Sequence, residues 1–300
     1  MSNILNIKTI GQLYQMVEGE KPKHPLVSVM DYSKMVVDEK FYGQEFTLDF
    51  YTVSLKGSEC GMTYGRKHYD FEEGVMIFTA PNQVMAVEPD NNDDMSGWAL
   101  YFHPDLIRGS ELGRKMKQYT FFSYNQTEAL HLSDAEKNLI NTCITSIEYE
   151  YNQTIDNHSQ TLLINNIELL LNYCLRFFER QFNTRTNLHK GVVKQFDDIL
   201  SDYFSSNDLT EKGLPTVHNI AEQVFLSANY LSDLLKKETG KTAQEHIHLR
   251  LINKAKDLLL TTSLSVKEIA YDLGFDYPHY FSRVFKSKTG ITPVAFRNLN

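Results

Sequence analysis

The chain has 300 residues, 42% of them apolar and 23% charged, with a formal net charge of −8; this is enough for two or three domains with ordinary cores and excludes a wholly disordered chain. No stretch approaches 18 uninterrupted apolar residues, and the opening MSNILNIKTIGQLYQM lacks a basic start followed by a long apolar run, so a soluble, cytoplasmic protein with no membrane partner is expected. Cys60, Cys143 and Cys174 are odd in number and lack any metal-ligand spacing, which predicts reduced packing thiols.

Residues 41–103 are rich in Phe, Tyr, Val and Thr and are broken by turn clusters at Lys56-Gly57-Ser58, Glu72-Glu73-Gly74 and Asp90-Asn91-Asn92-Asp93. Strand-sized runs from Phe46 to Leu55, Gly74 to Ala80 and Trp98 to Phe102 predict an antiparallel β-domain, a barrel or jelly roll. After Leu132 the period changes. Ser133 with Glu136 forms a capping box, and Ile140, Ile144, Ile147 and Tyr151 follow at helical spacing. A second helix is expected from His158 to Phe182, with Leu163, Ile167, Leu170, Cys174 and Phe177 on one seam. That seam fits either core packing or a homodimer interface. Asn183 to Asn187 is polar and helix-poor and is placed as a linker, followed by a helix over Val192–Phe204.

The rest of the chain repeats itself. Ile220-Ala221, Tyr230-Leu231-Ser232, Leu234-Leu235-Lys236, Thr239-Gly240 and Thr242 return as Ile269-Ala270, Tyr280-Phe281-Ser282, Val284-Phe285-Lys286, Thr289-Gly290 and Thr292. The offset grows by one residue within the copy, as a single insertion in a turn requires. Each copy reads as two helices joined by a tight turn: Thr216 and Ser227 cap the first pair, and Ser265 with Glu268, Gly274, Pro278 and Gly290 punctuate the second. The second helix of each pair has an apolar stripe, Leu231, Leu234 and Leu235 or Phe281, Val284 and Phe285. Its opposite face presents Asn229, Ser232, Asp233 and Lys236 in one copy and His279, Ser282, Arg283 and Lys286 in the other. These are chemistries that read base edges and hold phosphates. A helix over Ala243–Leu260 separates the copies. Charge follows the same division: Thr216–Asn300 carries 11 Lys and Arg against 8 Asp and Glu, and the remainder 19 against 30. Lys241, Lys254 and Lys267 are expected to be solvated.

Thr216–Asn300 resembles the carboxyl-terminal domain of AraC/XylS-type regulators through IAEQVFLSANYLSDLLKKETG, LRLINKAKDLL and IAYDLGFDYPHYFSRVFKSKTGITPVAFR. The resemblance implies that the second helix of each unit enters a major groove, with Asn229, Ser232 and Asp233, then His279, Ser282 and Arg283, facing the bases. Arg283 is the expected guanine contact, against the alternative of a surface salt bridge. Asp233 departs from the neutral or basic residue common there, so it either accepts from a cytosine or pairs within the protein. The segments YTVSLK, YDFEEGVMIFTAPNQ and GWALYFHPDL resemble the cupin-like barrel that precedes the helices in many such regulators. That implies an effector site, for which Tyr51, Tyr64, His68, Tyr69, Phe78 and Trp98 are candidates, the alternative for each being a core aromatic.

The expected architecture is therefore α+β. A cupin-like sensing β-barrel with an N-terminal arm spans 1–130, a helical dimerisation or connector region 131–185, and the tandem helix-turn-helix domain 190–300. Implied partners are double-stranded operator DNA, a small-molecule effector, RNA polymerase and a second copy of the chain. A metal-dependent cupin enzyme is the competing class, but the β-region offers only His68 and His103, and the one HxH, His246 and His248, lies on the spacer helix where its side chains point apart. No catalytic residue, metal or other cofactor is expected, since GxGxxG after a strand, GxxxxGK[ST], GxSxG and HExxH are all missing. The third class is a helical protein-interaction adaptor.

Overall fold

Short β-branched and aromatic runs become strands, and capped segments of 3.6-residue period become helices. The computed structural model describes residues 4–17, 19, 21–35, 41–56, 74–86, 96–125, 128–184, 186–206 and 208–298, and the chain divides into two units, Met1–Thr184 and Arg185–Asn300. The first unit contains, in order, β1 (Leu5–Ile7), α1 (Ile10–Met16), β2 (Val27–Asp31), β3 (Glu45–Leu48), β4 (Tyr51–Lys56), β5 (Val75–Thr79), β6 (Met85–Ala86), β7 (Gly97–Phe102), α2 (Pro104–Ile107), α3 (Glu111–Lys115), β8 (Leu130–His131), α4 (Asp134–Tyr151) and α5 (Ser159–Thr184).

The strands form two sheets, ordered β2-β7-β4-β5-β8 and β1-β3-β6. The first is antiparallel throughout, while β1 and β3 run parallel. Neither sheet closes among the described residues, so the barrel expected from the turn pattern is replaced there by two open sheets. The cause is visible in the run Phe46–Leu55, read above as one strand. It breaks at Asp49 and Phe50: Asp49 N–H donates to the Ile7 carbonyl at 3.0 Å, Phe50 is fully buried, and the flanking strands join different sheets.

In the larger sheet Tyr51, Val53 and Leu55 lie opposite Phe102, Leu100 and Trp98. This face meets the helices, with Phe78 against Phe178 of α5 at 5.7 Å, Cys174 Sγ 3.9 Å from Met76 Sδ and Trp98 Nε1 donating to Asn141 Oδ1 of α4 at 3.0 Å. On the other face Ala99 and Tyr101 pack with Ile10, Leu13 and Tyr14 of α1. The Ser133–Glu136 capping box starts α4 as expected, and the seam Leu163, Ile167, Leu170, Cys174 and Phe177 of α5 is buried within the unit. Core packing therefore accounts for that seam. Cys143 and Cys174 are free buried thiols; Cys60 lies outside the described residues.

The second unit is helical: α6 (Thr186–Ser205), α7 (Asp208–Lys212), α8 (Val217–Gln223), α9 (Ala228–Thr239), α10 (Ala243–Thr261), α11 (Val266–Asp272), α12 (Pro278–Thr289) and α13 (Pro293–Arg297). The linker expected at Asn183–Asn187 is helical at 183–184 and 186–187. Asn and Thr each cost under about 1 kcal/mol relative to Ala in a helix, too little to stop helices already nucleated on either side. One core runs through the whole unit, from Phe196, Leu200 and Phe204 of α6 through Leu251 and Ala255 of α10 to Phe281 and Phe285 of α12. The two repeats thus share an interior. No helix among the described residues is long and apolar enough to cross a membrane.

Candidate nucleic-acid interface

Each repeat folds as a helix, a tight turn and a second helix, and the two turns match bond for bond. Val224, Phe225 and Leu226 N–H groups donate to the carbonyls of Ile220, Glu222 and Ala221; Leu273, Gly274 and Phe275 donate to those of Ile269, Tyr271 and Ala270. The inserted residue then separates the turns before the second helices begin. Ser227 Oγ accepts the Tyr230 N–H at 3.2 Å, whereas α12 opens on Pro278 with Tyr277 at the N-cap and no side-chain cap bond. Both second helices are 12 residues long and end at left-handed glycines, Gly240 and Gly290. The Ser265–Glu268 box holds α11, and the Ser265 hydroxyl and N–H keep the Glu268 carboxyl below its ordinary pKa.

The turns differ at one matched pair. Gly274 has φ +77°, and a Cβ there would lie 2.6 Å from the Leu209 carbonyl oxygen and 2.9 Å from Gly213 Cα. Its counterpart Phe225 has φ +58° and is 89% exposed. The first turn is open where the second is covered by α7.

The apolar stripes are buried as expected: Leu231, Leu234 and Leu235 in α9, and Phe281 and Phe285 in α12 with Val284 half-buried. On the outer faces Asn229 and Lys236 are exposed, and Ser232 and Asp233 half-buried; His279, Arg283 and Lys286 are exposed, and Ser282 half-buried. Ser282 Oγ donates to the Pro278 carbonyl at 3.1 Å. His279 lies against Tyr277 at 5.6 Å. Arg283 has no ion pair among the described residues; its guanidinium sits 5.1 Å from the centre of the Tyr280 ring. The sequence reading missed that pairing, although an aromatic three residues before an arginine on one helix face is a legible signal. Lys254, expected to be solvated, is half-buried and donates to the Phe204 carbonyl at the end of α6, and Lys267 lies 6.0 Å from the Tyr271 ring.

The spacer helix α10 packs against α9, α11 and α13. At 19 residues it is roughly 28 Å long, given a 1.5 Å rise per residue. Its two histidines have separate partners: His246 Nε2 meets Thr239 Oγ1 at 2.7 Å and His248 Nε2 meets Gln244 Nε2 at 3.0 Å. Burial pushes both imidazole pKa values down.

In the first unit His103 caps α2, accepting from Asp105 N–H through Nδ1 at 3.1 Å. No group of three or more metal-ligating side chains occurs among the described residues. Of the effector candidates, Tyr64, His68 and Tyr69 lie outside the described residues. Tyr51 stacks on Phe102 at 5.0 Å, and burial raises its phenol pKa. Phe78 is buried against Phe121 at 4.4 Å and lines a cavity of about 10 Å³ with Tyr124, Glu128 and Phe178, room for one water. Trp98 stands four residues along β7 from the Phe102 that Tyr51 stacks on, bonded to α4.

Residues 220–299 match the family described as "Helix-turn-helix domain". The arabinose operon regulatory protein of Salmonella typhimurium is 27% identical over 267 residues, covering 83% of this chain and 88% of that one. The uncharacterized HTH-type transcriptional regulator YfiF of Bacillus subtilis is 34% identical over 142 residues, or 47% of this chain; the chain spans 41% of that relative's length. Among solved structures, the C-terminal domain of the two-component response regulator yesN from Fusobacterium nucleatum is 32% identical, with 36% of this chain and 98% of that one covered and a TM-score of 0.32. Two matched helix-turn-helix units on a shared core, together with the family match over residues 220–299 and these relatives, make the carboxyl-terminal region an AraC-type helix-turn-helix domain.

Proposed function

We propose that the chain is an effector-responsive, sequence-specific transcription regulator that places α9 and α12 in two successive major grooves of operator DNA. The observation that carries this reading is the pair of outward polar helix faces presented by one shared core. Major grooves recur on one side of a duplex every ~34 Å, and a core shared through α10 fixes the separation of two readers. On this reading Asn229, Ser232 and Asp233 face one groove and His279, Ser282 and Arg283 the next, with Lys236 and Lys286 on phosphates. The first reader, whose acid repels phosphate, contributes less than the second.

The decisive experiment is retardation of the DNA upstream of the chain's own gene. Affinity is expected to fall steeply with salt despite the overall charge of −8, because only the carboxyl-terminal surface meets DNA. Lys236→Ala and Lys286→Ala should each weaken binding uniformly across sequences and lower the salt slope by about 1. Failure to retard any fragment at low salt would sink the reading in favour of a protein-interaction adaptor.

The finer parts of the reading are proposals of the same kind. The first unit is taken as a cupin-like sensor in a cytoplasmic regulator, with Tyr51, Tyr64, His68, Tyr69, Phe78 and Trp98 around a small effector. A shift in retardation on adding the small-molecule fraction of a lysate checks it, and no shift removes the effector. The helices of 131–185 serve as the dimerisation region: with the predicted seam buried, Leu162 and Leu169, 44% and 47% exposed on α5, are left to meet a second copy. The double substitution Leu162→Ser/Leu169→Ser is expected to give monomers in sedimentation; an unchanged dimer would place the interface elsewhere. RNA polymerase is the protein partner, tested by transcription in vitro from a retarded fragment, where unchanged output argues against contact.

A further inference from the structure

We propose that Tyr280 is a positioning residue for sequence readout, its ring holding the Arg283 guanidinium in the orientation from which it meets a base edge. The inference rests on the DNA-binding reading above. Arginine carries a long, freely rotating side chain, and much of what it gains from a bidentate contact is lost in ordering it. On α12 a ring stands in place to reduce that cost. The guanidinium sits 5.1 Å from the centre of the Tyr280 ring, three residues before it on the same helix. The Tyr280 ring is itself held against Phe275 at 5.8 Å and 63°, and Phe275 is buried against Phe281 at 5.3 Å. A run of ring contacts therefore joins the core to the charged group.

The other repeat shows why this ring is free for the task. At the matched positions stand Tyr230 and Asp233. Tyr230 is buried, with His189 of α6 against it at 6.5 Å. Tyr280 is 43% exposed, and the arginine covers it instead. A cation over an aromatic face is attracted by the negative face of the ring. The guanidinium drawn to the ring in this way makes no ion pair among the described residues that would occupy its N–H groups, which stay available for the O6 and N7 of guanine.

The test is selection of a randomised double-stranded oligonucleotide library by the full chain, its Tyr280→Phe, Tyr280→Leu and Arg283→Ala variants, and the Tyr280→Leu/Arg283→Ala double variant. Tyr280→Phe should keep the parent's preferences, since the ring face remains. Tyr280→Leu should relax preference at the base pair that Arg283→Ala also relaxes, by about two- to five-fold, and leave other positions and the unfolding midpoint unchanged. Added to Arg283→Ala, it should change nothing further. Preferences unaltered by Tyr280→Leu would overturn the inference. So would a loss spread over all positions with a lowered midpoint, the mark of a structural role, or a full further loss in the Arg283→Ala background, the mark of a direct contact. If the unsubstituted chain enriches no sequence at all, the DNA-binding reading fails and the inference falls with it.

Discussion

Gly274→Ala is expected to lower the stability of the helical unit by about 2–5 kcal/mol, the sum of a left-handed backbone penalty and overpacking. Gly274 holds φ +77°, where an L side chain is strained, and the added Cβ would also lie 2.6 Å from the Leu209 carbonyl oxygen and 2.9 Å from Gly213 Cα. Both neighbours are main-chain atoms, so no rotamer change relieves the overlap. α7 would have to leave the second turn, giving up the contact between the Thr210 hydroxyl and the Asp272 carbonyl. The unfolding midpoint should fall on the order of 10 °C or more. Gly290→Ala separates the two causes. Its φ is +84° but nothing lies within 4 Å of its Cβ, so only the backbone penalty of about 1–2 kcal/mol applies. Equal losses for the two variants would refute the account of Gly274 as a packing position.

Arg283→Ala is expected to weaken specific DNA binding by about 1–3 kcal/mol and to relax preference at one base pair, with little effect at the others. Arg283 is exposed on the outer face of α12, has no ion pair among the described residues and lies 5.1 Å from the centre of the Tyr280 ring. A side chain so placed has its donors available, and loss of a bidentate pair to guanine has that magnitude. Folding should be nearly unaffected, because the residue contributes nothing to the core. Binding curves against matched and singly altered sites measure this directly. A uniform loss at every site would make Arg283 a phosphate contact. Lys286→Ala provides the comparison, since a lysine one turn on acts as a point charge with no preference among bases.

The two expectations draw on different levels of organisation. That Arg283 faces outward is set by periodicity, with Phe281 and Phe285 claiming the inner side of α12. That Gly274 cannot carry a side chain depends on α7, more than sixty residues earlier in the chain. The two open sheets found among the described residues, where a barrel was expected, have a related cause. Turn signals locate strand ends, but sheet membership depends on partners far along the chain, and the break at Asp49–Phe50 sends β3 and β4 to different sheets. The helix α1 was legible yet passed over: Thr9 and Gln12 form a capping box, and Ile10, Leu13 and Tyr14 share its buried side.

The amino-acid sequence by itself determined the repeat, its caps at Thr216, Ser227 and Ser265, the stops at Gly240 and Gly290, and the polar faces of α9 and α12. The caps, stops and polar faces each depend on groups within about four residues of one another, where hydrogen bonding and helical period suffice. Only the tertiary structure decided that the two repeats share one interior, that α6 buries Tyr230 while Tyr280 stays open to Arg283, and that the α5 seam is spent inside its own unit. Those outcomes turn on which distant surface removes a given face from water, and burial of that kind leaves no local mark on the chain.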